Sequence, residues 1–399
     1  MSPAARRRRT RAWPIITLGS IAVVGAAAVG HLLVVYPDTP GPGAGREVII
    51  EVPWGGGARA AARQAVAAGA VRDELRFTAY LRLCGAARRI KAGRHMVRDD
   101  WSPARIARAL AGPGMPEQAR VTIREGWTIF DIAGELDRKG VVQRAAFLEA
   151  ARSPALLAHL GIEGESAEGY LFPETYLMEL DTAPSEVIER LVGTFRRRAG
   201  PLFVAHADEV RELERTAEAL ARELSSLAST TDAGPAVRSP GGAHVAVILA
   251  SMVEAETARL DERPLVAAVL LNRLRAPGFT WRKLQIDPTV RYGCEAEPER
   301  APSCRDGASP LTSRHLDDGR NRFNTYVHPG LPPGPIGNPS ISAIEAVLTP
   351  APADFLYFVA DGSGGHVFSS TLPEHNAAVA RYRALQGGPD GGAPAPAGR

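Results

Sequence analysis

Val245-Ala-Val-Ile-Leu-Ala-Ser-Met-Val-Glu-Ala-Glu-Thr257 carries two carboxylates and no basic group. Its apolar positions, Val245, Ile248, Leu249, Met252 and Val253, recur at helical spacing, which predicts a helix with a buried face. At about 100° per residue Glu256 projects within roughly 20 to 40° of Val245, Leu249 and Met252, whereas Glu254 points nearly opposite. Glu256 is therefore expected on the apolar face and Glu254 away from it. A carboxyl against apolar surface is disfavoured in its charged form and holds a proton near neutral pH, as a general acid for a glycosidic oxygen must. The same spacing fits a carboxylate at the helix end paired with Arg259 or Arg263. On the residues alone both readings stand.

Working outward toward the C-terminus, Gly330 to Pro339 reads as a rigid Pro/Gly loop, and Ser342 with Glu345 as a capping box for the helix that follows. His366, after Gly364-Gly365, reads as a hairpin residue. An Asp before Pro288 is often a turn cap, so Asp287 has a structural reading beside a chemical one. Cys294 and Cys304 flank the Pro-rich, acidic stretch Glu295 to Pro302 and are a candidate disulfide, while Cys84 is expected to pack as a small apolar residue. With no CxxC or HxxH spacing, neither a metal nor any other cofactor is expected. The tail from Gly387 is Gly/Pro/Ala-rich and is expected to be disordered.

Toward the N-terminus, a hydrophilic helical stretch, Glu209 to Leu227, leads into a Ser/Thr/Gly/Pro loop, Ser229 to Gly242, expected to be mobile. Farther back a strand-turn-helix plan occurs twice. The first copy is Val48 to Val52, Gly55 to Gly57 and an Ala/Arg-rich helix ending near Gly69. The second is Val121 to Ile123, Glu125-Gly126 and Ile129 to Leu136, stopped by Gly140. Each continues with a further helix, Leu75 to Leu83 and Ala145 to Ala151. The helix Pro103 to Leu110 closes the first unit, and Gly112-Pro113-Gly114 marks a boundary.

Five arginines, Arg6 to Arg9 and Arg11, precede a stretch from Trp13 to Tyr36 that has no Lys, Arg, Asp or Glu. At about 1.5 Å per residue this stretch is long enough to cross a hydrocarbon core of ~30 Å. The arginines place the N-terminus in the cytoplasm and everything after Pro37 outside. A cleaved signal peptide, with Ala26 to Ala28 as small residues, is the alternative. The apolar run continues through Val35, past a usual signal core, which favours an anchor. Pro37 to Gly45 reads as a linker. The chain's 399 residues exceed one core, so at least two folded units are expected, and 45% hydrophobic against 23% charged residues excludes a disordered chain. A net charge of +3, much of its excess in the first residues, gives no reason to expect a nucleic-acid partner.

Several blocks together resemble the MltG (YceG-like) family of endolytic murein transglycosylases. They are Ser251 to Thr257, Leu271-Asn-Arg-Leu274, Leu284-Gln-Ile-Asp-Pro-Thr-Val-Arg-Tyr-Gly293, Glu168-Gly-Tyr-Leu-Phe-Pro-Glu-Thr-Tyr176, Phe323-Asn-Thr-Tyr326 with Gly330 to Gly334, and Phe355 to Gly362 with Gly365-His366. The resemblance runs in order from the apolar stretch to about Tyr382, although the Cys294/Cys304 loop departs from it. It implies an α+β fold: basic tail 1–12, transmembrane helix 13–36, linker 37–46, a small LysM-like unit 47–114, a catalytic domain 115–386 and a tail 387–399. It implies that Glu256 is the catalytic acid and base, that the glycan strand of peptidoglycan is the substrate, and that peptidoglycan synthases are neighbours in the membrane. Glu168, Gln285, Asp287, Thr289, Tyr292, Asn324 and Tyr326 are the candidates for binding the sugar, each with a reading as a satisfied structural group beside it.

Overall fold

The computed structural model describes residues 13–228, 240–276 and 282–385, so the expected basic tail, most of the Ser229 to Gly242 loop and the C-terminal tail lie outside the described residues. The fold is α+β, in two compact units that divide between Glu117 and Gln118.

The first unit opens with α1 (Trp13–Val34), the charge-free stretch in helical form. Among the described residues no helix is long and apolar enough to cross a membrane. A short turn, Tyr36–Asp38, follows. The segment read as a linker is hydrogen-bonded to the unit that follows. Gly41 and Gly43 donate their N–H groups to the carbonyls of Asp100 (3.1 Å) and Asp99 (3.0 Å), and Asp99 Oδ1 accepts from Gly45 N (2.7 Å) and Arg46 N (2.8 Å). A Cβ at Gly41 or Gly43 would approach Asp99 atoms to about 2 Å, so glycine serves close packing here rather than flexibility. Strand β1 (Glu47–Val52), helices α2 (Ala58–Ala67) and α3 (Glu74–Leu83), strand β2 (Gly93–Arg98) and α4 (Pro103–Ala111) complete the unit. β1 and β2 pair antiparallel with Ile49 opposite Met96. Alternation sends Ile50, Val52 and Val97 into a core with Phe77, Leu81, Ile106 and Leu110.

The second unit repeats the plan before enlarging it. β3 (Gln118–Thr122) pairs antiparallel with β4 (Thr175–Glu179) across α5 (Ile129–Arg138), α6 (Arg144–Ala150) and α7 (Pro154–His159). Thr128 and Asp131 form a capping box at the start of α5, and Gly140, at φ +70°, ends the turn that follows it. Then come α8 (Pro184–Ala205), α9 (Ala207–Ala228), α10 (Gly242–Glu256), α11 (Arg263–Arg275), α12 (Asp287–Ala296), the single turn α13 (Ser313–Leu316) and α14 (Ile341–Leu348). The hairpin β5 (Tyr357–Ala360) and β6 (His366–Ser369) and helix α15 (Leu372–Leu385) end it. The disulfide Cys294–Cys304 ties the end of α12 to the next loop, and Cys84 sits half-buried against the first unit's core.

α10 is the axis of this unit. Every residue from His244 to Val253 is buried, with α9, α11, α12 and α14 around it. The expected one-sided helix is thus covered on all sides. The N-cap of α14 is Ser340 rather than Ser342: its Oγ accepts from Ala343 N at 3.3 Å, while Ser342 binds Arg263.

Candidate active site

Glu256 is the last residue of α10, where the buried helix regains partial exposure. Burial of its carboxyl, aided by the neighbouring charge of Asp287 and opposed by Arg273 and Arg291, raises its pKa to about 8. A helix C-terminus, with its partial negative charge, also disfavours a second negative charge. Neither Arg259 nor Arg263 is its partner. Arg259 pairs with Asp261 and Glu262, and Arg263 pairs with Glu254.

Glu254 does not face solvent as the helical projection suggested. Its side chain is 6% exposed, ion-paired to the equally buried Arg263, and accepts from Ser340 N at 2.9 Å and from Ser340 Oγ. The projection angle was right, but the far side of a central helix is another packed layer. Glu254 fastens α10 to α11 and to the loop that starts α14.

Asp287 opens α12, and Tyr326 donates its hydroxyl to Asp287 Oδ1 at 2.6 Å. Burial and the Asp287 charge push the Tyr326 hydroxyl far up, so it remains a donor. The loop that delivers Asp287 is clamped on both sides. Gln285, 4% exposed and at φ +55°, donates its N–H to Thr325 O (3.1 Å), and Ile286 N donates to Thr325 Oγ1 (2.9 Å). From below, the fully buried Arg273 donates Nε to Leu356 O at 2.7 Å and Nη1 to Leu284 O. Burial lowers this guanidinium to about 10, against the opposing influence of Tyr326 and Glu256. Glu256, Asp287 and Tyr326, backed by Arg273, form one electrostatically coupled group.

Four of the residues expected to hold substrate have their polar groups engaged within the protein. Thr289 is fully buried and hydrogen-bonded to Ile286 O (2.6 Å) and Thr325 Oγ1 (2.9 Å). Asn324, also fully buried, donates to the carbonyls of His315, Leu316 and Asp318 and accepts from Tyr326 N. Tyr292 packs between Phe130 and Phe323 with its hydroxyl on Glu168. Glu168, fully buried, accepts from Ile129 N (2.8 Å) and Asn338 Nδ2 (2.7 Å), and burial raises its pKa to about 8. It latches three segments together and takes no place in the cluster around Glu256. A buried carboxylate and a catalytic one look alike in sequence. Arg273, Thr325 and Asn338 gave no such signal, since only tertiary packing shows what they hold.

His366 opens β6 and binds Glu262 through Nδ1 at 2.7 Å, as a hairpin residue should. A cavity of about 770 Å³ lined by Glu163, Leu220, Leu224, His244 and Leu331 lies at the opposite end of α10. Twelve residues, roughly 18 Å of helix, separate His244 from Glu256. This cavity is therefore separate from the group around Glu256. No group of three or more potential ligands that could hold a metal occurs among the described residues.

Comparison with known proteins shows what the chain is similar to. The model of the YceG-like family matches residues 50–381. An endolytic murein transglycosylase of Bacillus subtilis is 29% identical over 216 residues, covering 54% of this chain and 48% of that protein. One from Streptococcus pneumoniae serotype 2 is 26% identical over 361 residues, covering 84% and 58%. The chain thus spans about half the length of the curated relatives it matches. A crystal structure of a yceG-like protein from Listeria monocytogenes, 23% identical, covers 84% of this chain and 99% of its own, with a TM-score of 0.49.

Proposed function

The chain belongs to the YceG-like family, and from that premise we propose that it is an endolytic peptidoglycan lytic transglycosylase with Glu256 as its acid and base. The observation that carries this reading is the single carboxyl at the end of α10, raised to about 8 beside Asp287 and Tyr326. Protonated at neutral pH, Glu256 gives its proton to the oxygen leaving C1 of N-acetylmuramic acid as positive charge develops on the sugar. The carboxylate so formed takes the proton of that sugar's own 6-hydroxyl, whose oxygen closes on C1 to leave a 1,6-anhydro end. Because the nucleophile already belongs to the substrate, one carboxyl serves both transfers. Asp287, held by Tyr326, faces the developing cation as a fixed negative charge.

The charge-free α1 and the arginines before it support a single-pass anchor in the inner membrane, with the rest of the chain on the outer side. The β1-α2-α3-β2 order supports reading residues 47–114 as a LysM-like unit. An enzyme so anchored is placed to release strands as membrane-bound peptidoglycan synthases extend them.

Mass spectrometry of uncrosslinked glycan strands, treated with wild type or Glu256→Gln, tests the reaction. Shorter strands ending in 1,6-anhydro-muramic acid are expected from wild type alone, with unchanged folding of the variant by circular dichroism. Reducing ends would replace this reading with a hydrolase in which Asp287 is the second carboxylate. Cleavage by Glu256→Gln equal to wild type would remove Glu256 from the chemistry.

A further inference from the structure

α3 buries Phe77, Thr78 and Leu81 in the first unit and leaves another stripe uncovered. Leu75 is 75% exposed and Leu83 50%, with the half-buried Ala79 between them. At i, i+4 and i+8 the three span about 80° of the helix surface. Beside that stripe α3 meets the end of α1. The Arg76 guanidinium lies 4.6 Å from the Tyr36 ring centroid and donates to His31 Nε2 at 2.6 Å, and the Tyr80 ring meets Tyr36 edge-on at 5.7 Å. α3 therefore meets the chain where the charge-free stretch ends, and Val29, Leu33, Val34 and Val35 of that stretch are exposed as well.

The charges along this part of the chain have one sign, although the exposed Asp38 of the preceding turn lies near Tyr80. From Leu75 to Arg98 the chain has seven Lys or Arg and no Asp or Glu. The two acidic residues just before are engaged elsewhere: Asp73 caps α3 through Arg76 N (2.7 Å), and Glu74 pairs with Arg59 and Arg63 of α2. Arg72, Arg76, Arg82, Arg88 and Arg89 are all exposed. Apolar side chains at helical spacing with arginines alongside are the chemistry of a helix lying in a headgroup layer.

We propose that Leu75, Ala79 and Leu83 of α3, with their flanking arginines, rest in the surface of an anionic lipid bilayer, the one from which α1 emerges. The first unit is then held against the membrane at two points, the end of α1 and the length of α3. This inference rests on the reading of α1 as a membrane anchor.

The test uses the full chain carrying Cys84→Ser, with single cysteines at Val24, Leu75, Leu83 or Met96 labelled with an environment-sensitive fluorophore, in vesicles containing phosphatidylglycerol. Met96 is the control, because it lies on the sheet face turned away from the helices. Labels at 24, 75 and 83 are expected to be quenched at least twofold by nitroxide lipids and the label at 96 to be unaffected. Quenching at 75 and 83 should fall at least twofold in Arg76→Gln/Arg82→Gln. Quenching at 24 with a water-like signal at 75 and 83 overturns the inference and leaves the anchor standing. An unquenched label at 24 removes the anchor and the inference together. A blue shift at 75 and 83 without lipid quenching assigns the stripe to another protein surface, such as a second copy, and also overturns it.

Discussion

Glu256 and Glu254 lie two residues apart on one helix and have opposite fates, decided by what each side chain meets. Glu256 meets apolar burial and the carboxylate of Asp287, which together outweigh Arg273 and Arg291 in opposing its ionisation; Glu254 meets Arg263 and two donors from Ser340. With an acid titrating at about 8, kcat/KM should fall above that pH as the carboxyl loses its proton. Asp287→Asn removes a negative neighbour that raises Glu256, so that limb should move to lower pH; a pH-rate profile of strand cleavage measures it, and an unmoved limb would show that the two groups are not coupled. Glu254→Gln leaves Arg263 buried without its counter-charge. A loss of roughly 3 kcal/mol in stability is expected by denaturant titration, where the helical projection alone would have foretold a harmless change. The sequence could place Glu256 on its helix face and could not show that the opposite face was also covered, because periodicity reports angle and not what lies beyond it.

At the scale of elements, the strand-helix-helix plan was legible twice because turn glycines, alternating apolar residues and helical stripes sit within about twenty residues of one another. The pairing of β3 with β4, more than fifty residues downstream, was not, and neither was α8, whose apolar positions are interrupted by charges and by Pro201. That the Pro37 to Gly45 segment is hydrogen-bonded to Asp99 and Asp100 was not legible, because close packing and flexibility both call for glycine. The cysteines made a sharper signal. With Cys294 and Cys304 joined and Cys84 free, the denatured, unreduced chain should titrate one thiol and the reduced chain three. Breaking the bridge in Cys304→Ser should cost about 2 to 3 kcal/mol from the loop it closes, read as a lower unfolding midpoint.

For the whole molecule, the two carboxyls raised to about 8, Glu168 and Glu256, link global stability to pH. Their folded pKa lies above the unfolded value of about 4.3, so the native state holds protons that the unfolded chain has released. Their contribution is full below the unfolded pKa and is lost as pH rises through about 8. Urea midpoints should therefore decline between about pH 5 and 9, and Glu168→Gln should flatten that decline; a midpoint that rises with pH would reverse the assignment. The disulfide adds a consequence of a different kind. Helix α12 carries Asp287 at its first turn and Cys294 near its last, so the clasp with Cys304 anchors the far end of the helix that presents a site residue. In a reducing compartment that clasp stays open. On the proposed placement of this unit outside the membrane, the clasp would close only after translocation, and a chain held back inside would lack its last fastening.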